Sequence, residues 1–188
     1  MKRSSLIALT LLAAAPLVAG CGYNTIQTMD ERVNQAQGQI EAQLQRRADL
    51  IPNLVNTVKG VTKQEDTIFI SIANARARLG GAVQSGNVPE MAAANQQLNQ
   101  GLGRLLAIAE NYPQLRSSEN FRQLQDQLEG TENRISVARQ DYNTAVGEYN
   151  AYIRRFPYNL TAKVFGLGRP RDYFEAAAGA AEAPKVTF

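Results

Sequence analysis

From Tyr23 to Phe156 apolar side chains return every third or fourth residue, and no stretch alternates every second one. A period near 3.6 residues keeps such side chains on one face of an α-helix, whereas a half-buried strand needs a period of two. Ile26, Met29, Val33, Ala36 and Ile40 begin the pattern, and Leu44 and Ile51 extend it. Leu54, Val58, Val61, Ile68, Ile72, Ala75 and Leu79 continue it, and Met91, Ala94, Leu98, Leu102, Leu105 and Ala109 form a further stripe. The clearest run is Phe121, Leu124, Leu128, Thr131, Ile135, Ala138, Tyr142, Ala145, Tyr149 and Tyr152. A stripe this long faces one partner surface along its whole length, as in a bundle or coiled coil. The predicted fold is all-α with essentially no sheet.

Helix breakers divide the pattern. Pro52 falls inside the first stripe, where a helix kinks or restarts with one backbone hydrogen bond lost. A helix running unbroken from 24 to 82 would measure roughly 90 Å, against about 40 Å for the next, so it would overhang, bend or meet a second copy. Gly80-Gly81 and Ser85-Gly86 are expected to end the second stretch, and Pro89 to open the third helix at its first turn. That helix ends near Tyr112-Pro113. Ser117 or Ser118 caps the next, which runs to about Phe156 before Pro157. A short helix is expected over Leu160–Phe165, and 176–188 reads as a flexible tail of small residues with little to bury. Short connections make neighbouring long helices antiparallel. The expected architecture is an elongated, up-and-down four-helix bundle over 21–175, its long first helix kinked at Pro52.

The N-terminus has Lys2-Arg3, an apolar run from Leu6 to Leu17, then Val18-Ala19-Gly20-Cys21. A basic end, a short apolar core and small residues before a cut site describe a secretory signal over 1–20. The run is too short for a spanning helix, which needs about twenty apolar residues. Cys21, the one cysteine in the chain, directly follows Ala-Gly and resembles a lipobox cysteine, whose thiol receives diacylglycerol. The acyl (palmitate-type) chains would then tether the protein to a membrane outside the cytoplasm. With Gly22 rather than aspartate after the cysteine, the outer membrane is favoured in a cell that has one.

Composition excludes several functions. The chain has no histidine, so histidine triads and two-histidine zinc sites are ruled out, and one cysteine allows no internal disulfide. The net charge of +3 falls to +1 once Lys2 and Arg3 leave with the signal, with 18 basic against 17 acidic residues. That balance, with signs alternating along the chain, does not suit a nucleic-acid binder. Gly166-Leu167-Gly168 follows no strand and lacks the lysine-serine ending of a phosphate loop. No metal, cofactor or catalytic constellation is expected.

The densest polar cluster is Arg46-Arg47-Ala48-Asp49-Leu50-Ile51-Pro52-Asn53. Adjacent helical residues point about 100° apart, so at most one of Arg46 and Arg47 can lie over the apolar seam. The other should reach a neighbouring helix, with Glu110 or Glu132 as acceptor. Such pairs fix helix register, and Asn53, Asn143 and Asn150 suit the same role. Glu110 and Tyr112 sit at a helix end and read as a cap or turn, and Tyr142, Tyr149, Tyr152 and Phe156 read as core packing at heptad spacing.

These residues also carry a family likeness. Arg46-Arg47-x-Asp49-Leu50-Ile51-Pro52-Asn53-Leu54-Val55, Ala109-Glu110-x-Tyr112-Pro113-x-Leu115 and Asn120-Phe121-x-x-Leu124-Gln125 resemble the LemA family. Glu132-x-Arg134-Ile135-x-x-Ala138-Arg139-x-x-Tyr142-Asn143, Tyr149-Asn150 and Phe156-Pro157-x-Asn159 fit the same pattern. The resemblance implies an antiparallel four-helix bundle held outside the cytoplasm on a membrane anchor, with no established enzymatic activity. Many members look anchored by an N-terminal transmembrane helix, and the lipobox-like end at Cys21 departs from that. Some relatives are linked with membrane proteases or with membrane remodelling in organelle-forming bacteria. The function expected is a lipid-anchored envelope scaffold or adaptor, not an enzyme, that binds another envelope protein and self-associates. The alternative is a binding module for a small ligand, peptide or cell-wall fragment, with a pocket near Arg46, Arg47 and Glu110.

Overall fold

The computed structural model describes the backbone of residues 3–61 and 66–175, and the side chains of 22–61 and 67–175. Residues 3–20 of the expected signal segment are described as backbone only, within the first helix, while residues 1–2, the Cys21 side chain and the expected tail 176–188 lie outside what is described. Six helices occur among those described: α1 (Arg3–Lys59), α2 (Asp66–Ser85), α3 (Val88–Ala109), α4 (Pro113–Arg116), α5 (Glu119–Tyr152) and α6 (Tyr158–Val164). No strand occurs among them, and the protein is all-α. The chain divides into two compact units, both drawing on α1 and α5.

One unit is Gly38–Gln140, resuming at Tyr173. Its core follows the apolar stripes, with Leu44, Leu54, Ile72, Leu79, Leu98 and Leu105 fully enclosed. Here α1 does not restart at Pro52 but continues to Lys59. Proline lacks the N–H that would bond the carbonyl four residues back, which leaves the Ala48 oxygen without its helical donor. Arg76 Nε of α2 donates to that oxygen at 2.7 Å, so a side chain replaces the missing backbone bond. The break comes instead after Lys59, whose ammonium stands 4.9 Å from the Phe69 ring centre.

Of the two breakers expected to end the second stretch, Gly80-Gly81 lies inside helix α2, which ends at Ser85, beside Gly86. Each glycine costs a helix about 1 kcal/mol relative to alanine, but the buried Leu79 and Ala82 beside the pair hold it against the core. The chain then turns at Gly86, whose φ of 66° suits a residue without a side chain. The Asn87 side chain caps α3 by accepting from the Glu90 N–H at 3.2 Å, and Pro89 sits in the first turn. A Cβ added at Gly101 of α3 would lie 2.9 Å from Ile72 Cγ1 of α2, so the two helices approach closely at a glycine. Arg78 donates to Gln97 at 2.9 Å. As α2 advances from 72 to 78, its neighbour retreats from 101 to 97, which makes the pair antiparallel. Ser118 directly precedes α5, while the Ser117 hydroxyl donates to the Gln114 carbonyl of the one-turn helix α4.

The other unit joins residues up to Gln37 with Asp141–Asp172. Its buried side chains include Ile26 and Val33 of α1, Val146 and Tyr149 of α5, and Ile153 just after it. Tyr152 and Tyr158 stack with ring centres 4.4 Å apart, bringing α6 back onto α5. Phe156, expected in the core, is 80% exposed, because α5 ends at Tyr152 and the stripe loses its helical register there.

Candidate functional site

The unit 38–140 is organised around Arg47. Of the two adjacent arginines, Arg46 is exposed and Arg47 is buried, as their divergence around the helix requires. Arg47 Nη1 donates to Asn95 Oδ1 of α3 at 3.0 Å and forms an ion pair with Glu132 of α5. One guanidinium therefore ties three helices. Burial pushes the Arg47 pKa down from its ordinary value, opposed by the charge and hydrogen bond of Glu132. Glu110, the other expected acceptor, is exposed at the C-terminal cap of α3 and takes no part.

The other sequence candidates are scattered. Asp49 is exposed and accepts from Gln45 Nε2 at 3.0 Å, on its own helix. Asn53 is exposed, and its carbonyl accepts from the Thr57 hydroxyl, a bond within α1. Tyr112 is half-buried at the start of α4, and Arg134 is exposed. Beside the Arg47 cluster lies a cleft of about 160 Å³, lined by Asn95, Asn99, Glu132, Ser136, Arg139 and Phe174 among others. That is smaller than the roughly 300–1,000 Å³ of most small-molecule sites. No group of three or more potential metal ligands occurs among the described residues.

The second polar centre, in the other unit, is a strap. Residues after α6 run back along α5, where the Tyr149 hydroxyl donates to the Leu167 carbonyl and the Tyr142 hydroxyl to the Asp172 carbonyl, each at 2.8 Å. Between them Asn150 grips the Arg171 backbone twice, donating from Nδ2 to its carbonyl at 2.9 Å and accepting from its N–H at 2.8 Å. The Arg171 guanidinium donates to Asp30 Oδ1 from Nε and Nη2, and to Asn34 Oδ1 at 3.2 Å. Burial raises the pKa of both phenols above the usual tyrosine value; nearby Arg171 opposes the shift, while Asp172 adds to it at Tyr142 and Asp30 at Tyr149. Asn143 is half-buried two turns before this grip.

Sequence reasoning missed Asp30, Asn34 and Arg171 and gave Asn150 a different task. The available signal was Asn150 beside Tyr149 within an apolar stripe, since a buried amide and a buried phenol each need a partner. Pro170, which holds the chain extended, marked the segment that supplies one.

Together these features define an all-α protein in which Arg47, Asn95, Tyr142, Tyr149 and Asn150 tie helices and a return strap. Gln43 Oε1, Arg47 Nε, Asn99 Oδ1 and Asn159 Oδ1 are buried without a hydrogen-bond partner among the described residues. The chain belongs to the LemA family, whose model matches residues 36–188. It is 29% identical to magnetosome proteins MamQ 1 and MamQ 2 of Paramagnetospirillum magneticum (strain ATCC 700264 / AMB-1), each alignment covering 88% of this chain and 68% of the relative. It is 27% identical to magnetosome protein MamQ of Magnetospirillum gryphiswaldense (strain DSM 6361 / JCM 21280 / NBRC 15271 / MSR-1), with the same two shares.

Proposed function

We propose that this LemA-family protein is a lipid-anchored, non-catalytic scaffold or adaptor of the bacterial envelope. In this reading Cys21 carries the lipid, residues 1–20 are removed, and α1, α2, α3 and α5 are the members of an antiparallel bundle facing outside the cytoplasm. The observation that carries it is the employment of five buried polar side chains within the fold. Arg47, Asn95, Tyr142, Tyr149 and Asn150 each bond another part of the fold, as suits a rigid surface presented to another protein. Kinship with proteins named for the magnetosome agrees with a place at a membrane. The small volume of the cleft beside Arg47 weighs against the alternative of a ligand-binding module.

Cell fractionation tests the anchor. Cys21→Ser should move the protein out of the membrane fraction, and a variant that stayed bound with its signal removed would defeat the proposal. Affinity purification from membranes, with captured proteins identified by mass, tests the adaptor role. A monomer that crosslinks to nothing would overturn that half.

A further inference from the structure

From Ala151 to Arg171 the chain contains no acidic residue and five basic ones, Arg154, Arg155, Lys163, Arg169 and Arg171. Arg171 is occupied by Asp30, while the other four are exposed. The same stretch shows large apolar side chains to solvent: Phe156 is 80% exposed, Leu160 55%, Val164 79% and Phe165 54%. Leu160 and Val164 stand four residues apart on α6 and share its outer stripe, with Thr161 and Ala162 turned inward. A scattered exposed leucine needs no explanation, but four large exposed apolar side chains in one stretch that carries basic and no acidic residues form a surface of distinct chemistry.

The location of this surface within its unit identifies its partner. The Tyr23 ring lies 4.6 Å from that of Phe165. Gly22 is buried against α6 so tightly that a Cβ there would fall 2.5 Å from Tyr158 Cδ1. The exposed face therefore adjoins the residue that immediately follows Cys21. We infer that the end of α5, the α5–α6 turn and the outer stripe of α6 form a docking face for a membrane rich in acidic phospholipid headgroups. The apolar side chains enter the headgroup–acyl boundary while the cations meet lipid phosphates. This deepens the proposed membrane attachment: the lipid would hold the chain near the bilayer, and the face would fix which side of the unit lies on it.

The chain has no tryptophan, so Leu160→Trp supplies a unique fluorescent reporter. Gln35→Trp, also at an exposed position and roughly 20 Å along α1 from Gly22, is the control. The full chain is combined with vesicles containing phosphatidylglycerol or phosphatidylcholine alone, each carrying brominated lipid as quencher. The reporter at 160 should shift to the blue and be quenched on phosphatidylglycerol but not on phosphatidylcholine, while the control stays in water on both. Reversing three charges with Arg154→Glu, Arg155→Glu and Lys163→Glu should lower the docking equilibrium on the order of 100-fold. High salt should weaken docking without any mutation. A chain that floats with phosphatidylglycerol vesicles while its reporter at 160 stays unquenched overturns the docking face and leaves the anchor standing. Equal quenching on the two lipids, or quenching indifferent to both charge reversal and salt, also overturns it. A chain that floats on neither vesicle overturns face and anchor together.

Discussion

Only 7% of the Arg47 side chain is exposed, and a charge so enclosed persists because Glu132 and Asn95 both meet its Nη1, although its Nε is buried without a partner among the described residues. Arg47→Ala should destabilise the protein by about 3 kcal/mol, through lost packing and an unsatisfied Asn95. Glu132→Gln, acting on a half-exposed partner, should cost about 1 kcal/mol, and urea midpoints would separate the two. The inward arginine was legible in the sequence, since neighbouring positions on a helix cannot share a face. Its partner was not, because choosing Glu132 over Glu110 depends on which turns of separate helices meet. The tyrosines carry a pH dependence of the same local origin. Their folded pKa values lie above the ordinary 10.0, so as pH rises past 10 the unfolded chain loses these protons before the folded one. Their contribution is therefore fully present below about pH 10 and is lost above it, with a slope approaching 1.4 kcal/mol per pH unit for each group. Tyr142→Phe should make the alkaline decline shallower, as thermal melts across that range would show.

Among the elements, α1 demonstrates how a helix survives a proline. The Ala48 carbonyl lost its backbone donor at Pro52 and gained Arg76 Nε from α2. Arg76→Met should cost about 1 kcal/mol in the natural chain. In a Pro52→Ala background, where residue 52 regains an N–H, the same change should cost almost nothing. A double-mutant cycle in urea measures the coupling, and additive costs would refute the substitution of one donor for the other. Periodicity revealed the existence and type of the main helices because each must bury a stripe. It placed their ends less well. Gly80-Gly81 and Pro52 are breakers by local preference, and packing by Leu79 and Ala82 or a donor 28 residues away overrides that preference. The strap was invisible for a related reason: an extended segment without helical period gains its place from hydrogen bonds to residues distant in the chain.

At the scale of the molecule, the two units differ in how the chain builds them. The unit around Arg47 comes mainly from one continuous stretch, Gly38–Gln140, whereas the other takes its halves from either side of it. Its closure depends on the double grip of Asn150 on Arg171 and on the Asp30 ion pair. Asn150→Ala should raise hydrogen exchange at the Arg171 amide by at least tenfold while leaving exchange near Leu98 unchanged. Equal loss of protection at both places would mean that the strap holds more than its own unit. The pairing of Asp30 with Arg171 also sets an order of events. A ribosome delivers the aspartate first, and 140 residues follow before its arginine arrives. Throughout that interval the early stretch of α1 carries a bare apolar flank, so this half of the protein needs shelter until the last turn of α5 and the strap have been made.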